Sequence, residues 1–463
     1  MLKNNKIALF AAAVLTATVI LLVDCTIASA AEPNIRVGLD RGKTVATFKS
    51  YKGVFEIADG ATGEAAAYLT EGDTCTVIKE EDSIRIMSGS VNSIYGGPII
   101  VRPVDGNKSC IFSYNNTQYR GSLVIYNDAN GLIMVNSLPL EQYLYGVVGK
   151  EMGYSAPQEA LKAQSLISRS YAYSRLGSGS YYDVDTTQAT QVYGGYSAEI
   201  LFGGERVKAA VDATKGEVIC YNGAVIEAYF HSNAGGYTEN SENVWESARP
   251  YLKAVPSPYD EYALRISQSS TGWPGSSYQW TKVLTREEVE SLLAKKSIDI
   301  GTLMNIKISR LDRSGKKETV SGRVTELTFI GTKGSRSFYR DNIRSVLGLQ
   351  STLFNIEFDS GIVILDPQGK REVNSMKGLY IIDGNKQITP VDYSETDLYY
   401  VAGKDTVRSV SDEFEEIKIS GKGYGHGVGL SQWGAQGMAA EKGADYREII
   451  KHYYTGVDIV RKY

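Results

Sequence analysis

The order of apolar and polar positions divides the chain into a strand-rich beginning, a helical middle and a mixed remainder. Alternation with period two marks a strand with one buried face, and a period near 3.6 marks a helix. Short runs of the first kind are Asn34–Asp40, Gly53–Ala58, Cys75–Ile78, Ser83–Met87 and Pro98–Val101. Asp59-Gly60, Glu71-Gly72 and Gly96-Gly97-Pro98 punctuate them as turns. Residues 32–118 are therefore expected to form a small β region. Further on, Arg120–Tyr126 and Leu132–Asn136 flank Asn130-Gly131, and Glu217–Tyr221 and Ala224–Phe230 flank Asn222-Gly223. Asn-Gly between apolar runs predicts a hairpin.

The strand-like apolar run Leu138–Val148 leads to the first clear helix. Ser155 and Gln158 have capping-box spacing, Pro157 falls in the first turn, and Gly177 ends the helix after Leu176. Its wheel puts Lys162, Ser165, Arg169 and Tyr173 on one face and Ala160, Ala163, Ile167 and Tyr171 on the other. Gln164 and Ser168 fall on the apolar side. Buried polar groups need partners, so this pair is placed to hold a neighbouring loop. Residues 284–296 also read as helix, starting near Thr285. Leu430–Ala435 opens a short helix, and Asp445 with Glu448 starts the last one. Strands are expected at Leu303–Ile308, Val324–Ile330 and Leu353–Glu357, with more β structure up to Ile419. Strands and helices do not alternate as βαβ units, so the fold class is mixed α+β and β-rich.

Composition changes little. The 463 residues carry a net charge of -4, which gives no reason to expect a nucleic-acid partner. The 32 tyrosines are first of all what a β-rich fold carries, and also suit a surface that stacks on sugars. At the start, Lys3 and Lys6 precede the apolar run Ile7–Val23 and the small residues Ala28-Ser29-Ala30. Residues 1–31 thus read as a cleaved signal peptide or an uncleaved membrane anchor, and either one exports the chain. Asp24 before Cys25 argues against a lipoprotein. Cys75, Cys110 and Cys220 have no close spacing, which leaves one bridge or buried thiols open.

Four segments could carry chemistry. Val147–Tyr154 holds Glu151 among Val148, Met152 and Tyr154. It is either a solvated loop carboxylate or an acid kept protonated by apolar neighbours. The helix carries Arg169, on a solvated face or a functional one. Tyr229–Thr238 runs from a strand into a polar loop with His231 and Ser232. Finally, Gly421–Gly429 has glycine at every second position. An extended chain of that kind has one face of bare backbone, which something must approach closely. Its other face would present Lys422, Tyr424, His426 and Val428. The spacing matches no phosphate loop.

Taken together, these stretches resemble the SpoIID/LytB family of bacterial cell-wall proteins. The resemblance is carried by YRGSLVIYNDANGLIMVNSLPLEQYLYGVVGKEM, APQEALKAQSLISRSYAYS, DTTQATQVYGG, AYFHSNAGGYTENSENVWES and GKGYGHGVGLSQWGAQGMAAEKG, in family order over residues 119–463. It implies that 119–463 is a catalytic domain whose partner is the peptidoglycan glycan strand. Some members are lytic transglycosylases of spore formation, and others stimulate a wall amidase or bind the wall without cutting it. The family's catalytic glutamate aligns with Glu151. The resemblance and the residue types together place Arg169, Gln191, Tyr193, His231, Ser232, His426 and Gln432 in the cleft, with Trp433 as a sugar platform. Glu239, Glu242 and Asp183 are the next candidate acids. Some members hold zinc with histidine and cysteine in the stretch matching Asp185–Tyr193. This chain has Gln188, Ala189 and Thr190 there, so neither metal nor cofactor is expected.

Overall fold

The computed structural model describes residues 30–245, 247–266, 278–359 and 414–463, with strand segments between 362 and 411. The targeting segment before Ala30 lies outside the described residues. The architecture is mixed α+β. A seven-stranded sheet runs, edge to edge, Val184–Asp185, Asn34–Lys43, Gly131–Pro139, Ser122–Asp128, Ile99–Pro103, Phe55–Asp59, Ala65–Leu69. All its pairings are antiparallel except the short one of Asn34–Lys43 with Val184–Asp185. A second sheet of six strands includes Val45–Lys52, whose residues alternate between exposed and buried up to Ser50.

Both Asn-Gly hairpins form. Asp128 pairs with Gly131, and Tyr221 pairs with Ala224. The second hairpin is shorter than the sequence suggested. After Val225 the chain leaves it, and Phe230–His231 pairs in parallel with Leu430–Ser431.

The run after Leu138 is not a strand. Helix α1 spans Leu140–Met152 and follows the strand Gly131–Pro139 without a loop. Leu140, Tyr143, Leu144, Val147 and Val148 recur at helical spacing and are all buried. Gly153, at φ +88°, ends the helix. Helix α2 spans Gln158–Ser174 and starts at Pro157 without the expected capping box; Gln158 instead donates to the Arg206 carbonyl at 3.1 Å. The later helix Arg286–Ala294 does carry a capping box, from Thr285 and Glu288, and Asp445 caps Tyr446–Tyr453.

One hydrophobic core joins inward residues of both sheets (Val37, Phe48, Ile86, Ile125) to Leu144, Leu161 and Ile167 of the helices and to Tyr453 and Tyr454 near the C-terminus. Each such aliphatic side chain contributes about 1.5–3 kcal/mol on burial. A second core gathers Leu284, Val289, Leu327, Phe329, Leu347 and Ile419. Cys75, Cys110 and Cys220 are buried free thiols.

Candidate active site

Glu151 sits in the last turn of α1, not in a loop. The helix end would leave carbonyls without partners. Two side chains of the helix Gln432–Gly437 supply them: Gln432 donates to the Glu151 carbonyl at 3.0 Å, and Gln436 to that of Met152 at 3.4 Å. Gln432 also reaches Gln164 at 3.4 Å, and Gln164 donates to Ser168 at 3.1 Å. The polar pair on the apolar face of α2 thus holds the neighbouring segment.

The Glu151 carboxyl has one hydrogen bond among the described residues, from the Val192 amide at 2.6 Å. Burial pushes its pKa up to about 7, against the opposing pull of that amide. The negative end of the α1 dipole lies at the same place and disfavours the carboxylate further. At neutral pH the group is therefore poised between acid and base, as general acid–base work requires.

The carboxyl opens on a cavity of about 560 Å³. Its lining comes mainly from the end of α1, residues 188–192, residues 229–232 and residues 424–432, with Tyr171, Trp245, Asp341 and Arg344 added from other segments. Tyr171, Tyr229, Trp245, His426 and His231 form a chain of rings along it, with successive centroids 6.0, 4.6, 5.0 and 5.4 Å apart. Such faces suit stacking on sugar rings.

Val428 sets the two imidazoles in opposite tautomers. Its carbonyl accepts from Nδ1 of His231 at 3.1 Å, so His231 carries its proton there, and its buried Nε2, which has no partner among the described residues, is an acceptor. Its amide donates to Nδ1 of His426 at 3.0 Å, so that ring is protonated on Nε2 and is a donor. Burial, before any neighbouring charge, lowers both pKa values, that of His426 to about 4. Both rings are neutral at pH 7.

The alternating glycines build this arrangement, although not as an extended chain. Gly423, Gly425, Gly427 and Gly429 all have positive φ, from +71° to +109°. Their bare Cα atoms let the loop close on the His231 strand. A Cβ on Gly425 would lie 2.8 Å from that of His231, and one on Gly429 would lie 2.0 Å from the Tyr229 carbonyl. The close approach expected from the sequence is present; the flat β register is not.

Of the expected residues, Glu151, His231, Ser232, His426 and Gln432 line the cavity together. Four others do not. Arg169 is fully buried and holds α2 to α1 through a two-pronged ion pair with Glu141, at 2.7 and 2.9 Å. Neither the solvated face nor the cleft position left open for it holds: that face of α2 is interior. Gln191 is buried under Tyr143, whose hydroxyl it accepts at 3.2 Å. Tyr193 is buried and donates to Asn136 at 2.9 Å. Trp433 packs on Ala263 and Tyr278, so it offers no platform; Trp245 lines the cavity instead. The reserve acids are engaged elsewhere: Asp183 with Arg36, Glu242 with Lys253, and Glu239 with Asn243. Sequence reasoning missed Asp341, which lines the same cavity in an ion pair with Arg344 at 3.1 Å. It also missed Tyr171 and Tyr229 as cavity walls.

The donors present do not fit a zinc ion in the stretch Asp185–Tyr193, which the resemblance implies for some members. Structural zinc takes four ligands. Asp185 here accepts from Thr187 and Thr190, and among the described residues no three His, Cys, Asp or Glu side chains converge.

Fold and site define an α+β protein with one poised carboxylic acid at the end of a helix, facing two neutral histidines and an aromatic wall. A family model described as stage II sporulation protein matches residues 128–221. The stage II sporulation protein D of Bacillus subtilis is 30% identical over 355 residues, which cover 73% of this chain and 78% of that protein. An amidase enhancer of Bacillus subtilis is 31% identical over 409 residues, 85% of this chain and 50% of that protein. A Brachyspira hyodysenteriae protein is 32% identical over 391 residues, 83% of this chain and 82% of its own. The chain belongs to the SpoIID/LytB family.

Proposed function

We propose that this protein is an exported peptidoglycan lytic transglycosylase with Glu151 as its only acid–base group. One observation carries the reading: a carboxyl with a pKa near 7 opens on a cavity walled by aromatic rings. Neutral Glu151 gives its proton to the glycosidic oxygen as the C1–O bond of a muramic acid residue breaks. The Glu151 carboxylate then takes the proton of the C6 hydroxyl of that same residue, and O6 bonds to C1. The products are a new free glycan end and a 1,6-anhydro end, and Glu151 is neutral again. The nucleophile is tethered to the reacting sugar, so no second carboxylate has to activate water. Asp341 is held by Arg344 and is left out of the proton path.

A second reading has its own support, since the relative named amidase enhancer matches 85% of this chain. There the same cavity binds glycan without cutting it and assists a wall amidase. Intact wall, incubated with the protein alone and with an added N-acetylmuramoyl-L-alanine amidase, separates the two. Anhydro-ended fragments from the protein alone support the transglycosylase. Uncut strands together with faster peptide release by the amidase support the enhancer.

A further inference from the structure

A groove of about 820 Å³ opens beside the Glu151 cavity and has no part in the chemistry above. Its floor is the three-stranded sheet of Gln279–Thr285, Glu416–Lys422 and Phe354–Phe358. On the central strand Gly421 leaves bare backbone, and its cross-strand neighbour Trp280 fills that space: a Cβ there would come within 2.2 Å of the indole. The indole Nε1 is fixed on the Gly423 carbonyl at 3.0 Å. A half-buried, anchored ring of this kind suits stacking on a sugar.

Two cations and no carboxylate line the groove, in a chain whose net charge is negative. Arg310 is held in place from one side. Its Nε donates to the Gly322 carbonyl at 2.9 Å, and Nη2 to the Phe354 carbonyl and Asn355 at 2.7 and 2.6 Å. Lys422 is exposed, with its ammonium 5.3 Å from the centre of the Tyr278 ring. Neither cation forms an ion pair among the described residues. The groove thus combines an aromatic surface with two uncompensated charges, which fits a sugar that carries its own carboxylate.

Two stretches of chain join groove and cavity. Lys422 lines the groove, and Tyr424 lines the Glu151 cavity; Gly235 lines the groove, and Ser232 the cavity. Two residues span at most roughly 7 Å and three roughly 11 Å. A polymer held over Glu151 can therefore continue into the groove. In the wall, muramic acid is the sugar with a carboxyl of its own, on the lactyl ether at O3. That carboxyl is an anion on a bare strand and a neutral amide where a peptide is attached.

We infer that Arg310 and Lys422 bind the free lactyl carboxylate of a muramic acid next along the strand from the one over Glu151, with Trp280 against its sugars. The inference rests on the proposed wall substrate. It adds the residues by which the protein tells a bare strand from one whose lactyl groups are amide-linked.

Calorimetry on the full chain tests it, with Glu151→Gln as background so that no probe is cut. The probes are glycan oligomers with free lactyl carboxylates, the same oligomers with each lactyl group converted to its methylamide, and oligomers that keep their peptides. The free acid is expected to bind about tenfold more tightly than the methylamide. Adding Lys422→Gln is expected to remove that difference, and Lys422→Arg to keep it. The methylamide is expected to bind equally with and without Lys422→Gln. Three results overturn the subsite alone: equal affinity for acid and methylamide, a preference that survives Lys422→Gln, or peptide-bearing oligomers that bind as tightly as the free acid. Failure of all three probes to bind overturns the wall reading and the subsite with it.

Discussion

Replacing Glu151 by glutamine should stabilise the protein at high pH, because the poised acid costs folding energy when charged. Glutamine keeps the shape and the oxygen that accepts from Val192. The folded protein holds the Glu151 proton more tightly than the unfolded chain does, since its pKa rises from 4.5 to about 7. A raised carboxyl pKa means that the neutral form's contribution is complete below about pH 4.5 and is lost as pH climbs through about 7. The shift corresponds to about 3 kcal/mol. Glu151→Gln removes the titration. Its stability relative to the parent should therefore rise between pH 5 and pH 8.5 by about 2.5 kcal/mol, a large share of a domain's total. Urea unfolding of both proteins across that range measures the difference. Two stability curves that stay parallel within about 0.5 kcal/mol would refute a buried, poised Glu151.

Other consequences follow from the same geometry. Arg169→Met should cost about 3–5 kcal/mol in urea unfolding, because it strands the buried Glu141 carboxylate; a loss under 1 kcal/mol would contradict a structural role. Gly427→Ala should cost more than about 1 kcal/mol and disturb the His426 proton resonances, since its Cβ would lie 2.5 Å from the buried Arg323 guanidinium at φ +83°. Burial pushes the Cys75 thiol up to about 12, so Cys75 should resist thiol reagents at pH 8 in the native state and react once unfolded, as mass spectrometry of labelled peptides will show.

Much of the fold was legible from local patterns. The hairpin at Asn130-Gly131 and the helices at Thr285 and Asp445 have turn or cap chemistry in neighbouring residues. The errors arose where distant partners decide. The Leu138–Val148 run has helical spacing, but the strand before it runs straight into it, with Pro139 at the junction as the single break between them. An isolated wheel leaves Arg169 on a solvated or a functional face. Glu141, Glu217 and Val211, which enclose it, come from other elements. Glu151, His231, Ser232, His426 and Gln432 were recognisable as a set from their motifs. Trp245 lay within a recognised stretch, while Asp341 and Arg344 enter the cavity from a segment without any motif. The glycine alternation correctly signalled close backbone approach. It could not reveal that positive φ values curl the loop so that Val428 faces both histidines.

The most direct measurement is mass spectrometry of the ends made from purified glycan strands by the parent protein and by Glu151→Gln. The account predicts 1,6-anhydro ends with the parent and none with the folded variant. Anhydro ends that persist in Glu151→Gln, or strands left whole by the parent, would contradict it.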